Sequence, residues 1–567
     1  MDKRLILAVL LMIGVAVLPS LFFRPPPPRP VLSDTTAAEA DRVVVSPEPE
    51  AVLPPPSARL PTITGAPGAV ELDDGVDTIT VASPLYRYQI STGGGRLVGA
   101  WLSTYQTLRP GESGPLQLVR EHAPFLDQSL IVGRDSIRLA GVAFTPSRRH
   151  IEVTREPETL ILDGAVDSLR LRLTFRFTAQ DYRFEVRGEV LGLPATGAVL
   201  TVGLGSGLRS GEADTVQDHR SYAVVTKARS TSSVGFGKVR PGVVDTLAGP
   251  FEWVAMKSKY FVAGVFAIHE GAAPFGGVLM AGGVRDGKVA SHLDAIATLP
   301  VPQRGTFGFD VYAGPQEPRR LRAIGHDFDD VNPYGWIFRP IIRPIAAVVV
   351  TILVWLHERL NVAYGWVLIL FGLGVRVLLW PLNQKAMESS ARMQTVAPLM
   401  KELQERHKGD QQRLQQEMMK LYKEHKVNPL GGCLPMLLPM PILFALFFVF
   451  LNTIEFRGVP FLWLPDLSQA DPLYIIPVVM GISMFMLMKI GQMGSPPNPQ
   501  MKLMVYFMPV MMTVLFLKFS SGLNLYYAAT NLFSLPQQWL IARKRAAAQG
   551  TAPRQGSSAS PTAKRKP

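Results

Sequence analysis

Apolar and polar positions change their rhythm twice along this chain. From about residue 63 to 325 they alternate at a period of two, most clearly in "RLRLTFRF" at 170–177 and "YRFEVRGEV" at 182–190. Such strands bury one face and wet the other, as antiparallel sheets do. Glycine-rich stretches such as STGGGRL and AGGVRDG supply turns. The pattern predicts one large all-β sandwich domain over 63–330, with a short helix near "EPRRLRAIGHDFDD". Beyond it the alternation gives way to long apolar segments at 362–382, 431–452, 473–490, 503–519 and 523–541. Another apolar run, Leu5 to Phe23, follows a basic flank at the start and is about 28 Å long as a helix. The first A-x-A, Ala38 to Ala40, lies well past that run, so 1–23 is expected to be an uncleaved transmembrane anchor. Residues 24–62 hold eleven prolines and little apolar periodicity, which predicts an extended proline-rich linker.

The segment at 334–360 is a different case. Its uninterrupted apolar part, Ile345 to Leu356, has twelve residues, fewer than the roughly twenty a span needs, so an interfacial amphipathic helix is expected. Charge supports that reading. With six spans both chain ends share one side, together with 383–429, which carries nine Lys or Arg against six acids. The loop at 453–472, with one Arg and three acids, falls on the other side. This satisfies the positive-inside rule, whereas a seventh span at 345–356 would export the basic loop and the basic tail at 542–567. The expected topology places both termini in the cytoplasm and the β domain outside. Within the basic loop, Val396, Leu399 and Leu403, then Leu414, Met418, Leu421 and Tyr422, recur at helical spacing on either side of "HKGD". A cytoplasmic helical hairpin over 384–426 follows. The tail has seven Lys or Arg and no acid from 543 on, and is expected to be disordered.

Candidate chemistry changes the picture at one residue above all. Arg376 lies inside the segment "GWVLILFGLGVRVLLWPLN", and the last five spans contain no Asp, Glu or His to pair with it. Two readings stand. The side chain snorkels to the cytoplasmic interface, or it sits in a water-containing recess that attracts negative charge. Proton-coupled transport is disfavoured, because such transporters relay protons through intramembrane carboxylates or histidines. Between Leu434 and Ser520 lie twelve methionines, including Met480 and Met484. These are either ordinary packing or a surface that fits varied apolar shapes. The last span carries Asn524, Tyr526, Tyr527, Thr530, Asn531, Gln537 and Gln538, wetter than a lipid-facing helix.

Enzyme motifs are poor. "SVGFGK" lacks the spacing of a phosphate loop, "GLGSG" at 203–207 lacks the third glycine of a dinucleotide site, and HExxH does not occur. The single cysteine, Cys433, permits neither an intrachain disulfide nor a Cys-based metal site. No enzyme activity, cofactor or metal is expected.

"VRVLLWPLNQKAMESSARMQTVAPLMKELQ", "QQEMMKLYKEHKVNPLGGCLPMLLPMPILFAL", "DLSQADPLYIIPVVMGISMFM" and "FMPVMMTVLFLKFSSGLNLYYAATNL" resemble the YidC family of membrane protein insertases of Gram-negative bacteria. The resemblance covers roughly 330–541, where order, spacing and loop lengths agree. It implies a polytopic α-helical inner-membrane protein of six transmembrane helices, with a periplasmic β domain and a five-helix core over 362–541. It further implies movement of hydrophobic segments of newly made proteins from the cytoplasm into the bilayer, alone or with the Sec translocon, without nucleotide hydrolysis. The family's groove arginine corresponds to Arg376 and its substrate-contacting tyrosine to Tyr527, with Tyr526 adjacent. Gly372, one turn before Arg376, departs from relatives that often have threonine there. The basic tail and the hairpin are candidate ribosome contacts, against the simpler reading that they enforce topology. The rival function is an assembly scaffold acting with the translocon, and a small-molecule transporter ranks third.

Overall fold

The computed structural model describes residues 77–120, 123–267, 273–283, 292–332, 339–407, 409–425, 440–493 and 499–550. The expected anchor at 1–23, the linker at 24–62, the start of the β region, residues 431–439 and the tail beyond 550 lie outside them.

The period-two stretches form strands as their pattern requires. Leu169–Phe177 pairs antiparallel with Arg183–Leu191, in a register running from Arg170 opposite Leu191 to Phe177 opposite Phe184. Leu169, Leu171, Leu173, Phe175 and Phe177 face the core, while Arg170, Arg172 and Arg176 are exposed. These strands belong to a nine-stranded sheet that packs with sheets of five and six strands into a β sandwich. The Tyr88 hydroxyl ties the five-stranded sheet to the nine-stranded one by donating to the Ala313 carbonyl at 2.9 Å. Strands Trp253–Lys257 and Phe261–Phe266 are buried at every position and show no alternation. They lie in the middle of the sandwich, where both faces are covered.

Among the described residues two short α-helices decorate this domain. α1 (Thr215–Arg220) is capped by Asp214, whose side chain accepts from the Gln217 amide. α2 (Pro318–Ile324) and the 3-10 turn Phe328–Val331 fall where the short helix is expected. Phe328 packs on Trp253, Phe266 and Tyr312 with ring centroids 4.6–5.8 Å apart.

Among the described residues seven helices follow: α3 (Arg339–Leu360), α4 (Tyr364–Arg406), α5 (Gln411–Glu424), α6 (Met440–Asn452), α7 (Ile475–Gly491), α8 (Pro499–Phe516) and α9 (Ser521–Gly550). By length and composition, α3 and the first part of α4, Tyr364–Pro381, are apolar enough to cross a membrane. Near the start of α3 Arg343 pairs with Asp329 and Asp330 at 3.0 and 2.9 Å, and near its end Glu358 pairs with Arg319 of α2 at 3.0 Å. The β domain therefore holds α3 at both ends of a fifteen-residue interval, about 22 Å of helix. Ile342, Ala346, Val349, Val350 and Leu353 form its buried stripe, while Ile341, Val348, Ile352 and Trp355 stay exposed. Asn361, at φ 52°, then turns the chain sharply into α4.

Contacts fix the running directions of the remaining helices. Tyr364 and Trp366, at the start of α4, pack on Phe456 and Phe461 of the loop between α6 and α7. Gly372 of α4 lies beside Tyr526 and Thr530 of α9, and Arg376 reaches Gln537 further along it, so α4 and α9 run parallel. Asn531 bonds Ser483 and Gly491 lies beside Gln538, so α7 runs parallel to α9 as well. α8 is antiparallel to α7, with Gly481 beside Thr513 and Phe485 against Tyr506.

The β domain is fastened to the α6–α7 loop by a buried ion pair. Arg457 Nε lies 2.7 Å from Glu212 Oε1, with the two side chains 4% and 9% exposed. Arg457 also donates to the carbonyls of Gln106 and Gly211 at 2.9 and 3.1 Å, and its guanidinium sits over Phe261. α4 starts at this end of the bundle and leaves from the other, where its last turns pack against α5. Val396, Met400, Leu403 and Leu421 form that small core, and the Tyr422 hydroxyl reaches Met400 Sδ at 3.5 Å. The first arm of the hairpin is thus the uninterrupted continuation of α4. α9 is likewise longer than the apolar run it contains. It stays helical to Gly550, so 542–550, expected as part of a disordered tail, is helix, because Ala-rich sequence readily continues a helix already nucleated by packing.

Candidate functional site

Arg376 lies three turns into α4 and is half-buried. α4 and α9 come together where Gly372 has no side chain. A Cβ there would sit 3.2 Å from Thr530 Oγ1 and 3.5 Å from the Tyr526 ring. One turn further on, Arg376 Nη2 donates to Gln537 Oε1 at 3.0 Å. In the sequence Gln537 is one polar residue among several in the last span, with nothing local to give it a role. The available signal was spacing, since Tyr526, Thr530 and Gln537 fall at i, i+4 and i+11 on one face of α9.

The other polar groups of α9 are largely occupied within the bundle. Thr530 and Ser534 donate to carbonyls one turn back at 2.7 and 2.6 Å, and Asn531 donates to Ser483 Oγ at 3.2 Å. The Asn524 amide donates to the Phe516 carbonyl at 3.0 Å across the α8–α9 connection. On α9, three buried polar atoms meet no hydrogen-bond partner among the described residues: Asn524 Oδ1, the Tyr527 hydroxyl and Gln537 Nε2. Such orphans are rare in folded proteins and call for water or a ligand.

The two tyrosine rings meet edge to face, with centroids 5.8 Å apart, but pack on different neighbours. Tyr526 is 5% exposed and lies in the bundle core against Phe371, with ring centroids 6.0 Å apart. Tyr527 points to another face, edge-on to Phe516 at 5.4 Å. Met480 belongs to the same core as Tyr526 at 3% exposed, and Met484 is half-buried. Met486 is exposed on α7, and Met493 is exposed just past its end. The structure thus joins Arg376, Tyr526 and Gln537 at one α4–α9 seam, and sets Tyr527 and Met484 on neighbouring faces.

Outside the bundle, burial shifts several charges. Glu455, beside the Arg457 clamp, lines a cavity of about 500 Å³ with Tyr105, Glu317, Arg319, Glu358 and Tyr364. Burial pushes its carboxyl up to about 7. Lys257, buried in the β domain, is pushed down to about 8 by the same effect, and its ammonium bonds Asn332. Among the described residues no group of three His, Cys, Asp or Glu could hold a metal ion. The enzyme-like motifs resolve into ordinary backbone: "SVGFGK" spans a strand end and a 3-10 turn, and Gly205 and Gly207 take positive φ in a loop.

A β sandwich clamped to one end of a bundle of apolar helices, with a half-buried arginine at a helix seam, defines an α-helical membrane protein carrying a large extramembrane domain. Residues 78–348 match the family model described as YidC periplasmic domain, and 355–548 match that of the 60Kd inner membrane protein. The membrane protein insertase YidC of Oleidesulfovibrio alaskensis is 32% identical over 96% of this chain and 99% of its own. That of Janthinobacterium sp. is 28% identical, covering 93% and 94%. A crystal structure of active YidC insertase with the first transmembrane domain resolved is 16% identical, with 82% of this chain and 92% of that chain covered at a TM-score of 0.33. The chain belongs to the YidC membrane protein insertase family, whose members are inner-membrane proteins with a periplasmic domain.

Proposed function

We propose that this chain moves hydrophobic segments of newly made proteins from the cytoplasm into the inner membrane along the α4–α9 seam. The observation that carries this reading is the position of Arg376: half-buried within the helical bundle and held by the neutral amide of the buried Gln537. A cation in low-dielectric surroundings attracts an acidic or polar flank into the recess and shortens the hydrocarbon that the flank must cross. The attached apolar segment then passes Tyr526, Tyr527 and Met484 into lipid. Burial of its surface supplies roughly 25 cal/mol per Å², so insertion proceeds without nucleotide hydrolysis.

The topology that serves this function has six spans, the anchor at 1–23 and five in the core, with both termini and the α4–α5 hairpin in the cytoplasm. α3 lies in the periplasmic interface, a reading supported by its two-ended attachment to the β domain. Insertion proceeds alone or with the Sec translocon, and the basic hairpin and tail enforce the cytoplasmic orientation, with salt-sensitive ribosome co-sedimentation as the test of a ribosome contact.

The deciding experiment is protease protection of a single-span protein synthesised beside liposomes that contain only this purified chain. Protection by the wild type and its loss with Arg376→Ala are the expected results. No protection by well-folded wild type would shift the reading to a scaffold that needs the translocon.

A further inference from the structure

The Arg376–Gln537 contact has a direction that chemistry fixes. A guanidinium only donates hydrogen bonds, so the Gln537 amide must present its oxygen to Arg376 and turn its NH2 away. That NH2 is buried and meets no acceptor among the described residues, although Gln537 as a whole is only 1% exposed. An amide donor is thus left with its hydrogen-bonding capacity unused by the described residues beside a cation, at the seam where Gly372 lets the two helices touch. The neighbouring Pro536 lies inside α9 and lacks the N–H that would close its turn, which loosens the backbone around Gln537.

We propose that Gln537 is the positioning residue of the recess. It orients the Arg376 guanidinium through its oxygen and adds an amide donor through its nitrogen. The pair therefore selects hydrogen-bond-accepting side chains on the entering segment, carboxylates and side-chain amides, rather than negative charge alone. The inference rests on the insertion reading above and goes beyond it by naming the chemistry of the flank that the recess accepts.

The test uses the full-length chain in liposomes and three single-span substrates that differ only in a short flank: acidic (Asp), its amide counterpart (Asn), and an apolar flank without side-chain acceptors (Ala). Q537E puts a carboxylate against Arg376, so the acidic flank should lose at least tenfold in insertion, and the apolar flank less than twofold. Q537M keeps the volume but removes both the acceptor and the donor, so acidic and amide flanks should fall three- to fivefold together and the apolar flank should hold. Equal losses for all three flanks in both variants would reveal a packing role and overturn the inference, as would wild-type insertion of every flank. Arg376→Ala run in parallel separates the two levels. If that variant inserts the acidic flank normally, the charge-attraction step of the insertion reading fails. If it is impaired while Q537E and Q537M behave as wild type, only the role of Gln537 fails.

Discussion

The junction around Arg457 and the seam around Arg376 each bury a guanidinium, and they do so in opposite ways. Arg457 has a carboxylate, two backbone carbonyls and an aromatic face around it, and its side chain is 4% exposed. Arg376 is half-exposed, and the contact that ties it to α9 is a neutral amide. A charge whose surroundings complete its hydrogen bonds can only hold parts together. One that keeps a solvent-accessible side can also act on something that arrives. The β domain and the junction put polar chemistry to structural use, while the bundle keeps part of its own in reserve.

The comparison breaks most visibly at Arg457. Arg457→Ala leaves Glu212 buried without its partner and should destabilise the junction by about 3–5 kcal/mol. Thermal unfolding of the purified chain in detergent, read beside protease nicking of the 453–472 loop, measures this. Glu212→Gln in the same background should recover part of the loss. Arg376→Ala should do the reverse: stability within about 1 kcal/mol of wild type, because a half-buried charge is removed, but insertion of acid-flanked segments reduced about tenfold, equivalent to about 1.4 kcal/mol. Arg376→Lys should be tolerated in part, since a point charge keeps the attraction but loses the planar fork. A large stability loss in Arg376→Ala would erase the contrast with Arg457.

Two smaller effects sharpen it. Glu455 sits next to the clamp with its carboxyl raised from 4.5 to about 7 by burial, among Glu317 and Arg319. The folded chain holds that proton more tightly than the unfolded one, so its contribution is full below about pH 4.5 and is lost as pH rises through about 7. Glu455→Gln should flatten the stability of the junction across that window, which unfolding midpoints at pH 5 and pH 8 would show. The smallest change is Tyr527→Phe. Its hydroxyl is buried without a partner among the described residues, so removing it should leave stability unchanged or raise it by up to about 1 kcal/mol. A clear loss in thermal unfolding would mean that the hydroxyl is satisfied in the membrane.

Much of this was legible because the environments differ sharply from face to face. Leu169–Phe177 alternates because its part of the sheet has one wet side. Phe261–Phe266 gives no such signal, since both its faces are covered. Arg376 stands out as a charge within an apolar run, whereas Gln537 is one polar residue among several in the last span. Nothing local marks Arg457 as different from any loop arginine, because its partner Glu212 lies 245 residues away in sequence. For α3, length and hydropathy permit a span, and the ion pairs at its two ends show the helix lying along the β domain.

The order of amino acids alone determined the large architecture: a β domain from period-two strands, apolar helices from long hydrophobic runs, an orientation from charge asymmetry, and one arginine out of place. Those properties reside in each segment's own solvation, which composition and spacing encode directly. Which arginine became a fastening and which was left facing a seam, and that a distant glutamine would aim the second, was decided only by tertiary packing. Hydrogen bonds and ion pairs depend on ångström-scale approach between segments far apart in the chain, and only the folded structure sets those distances.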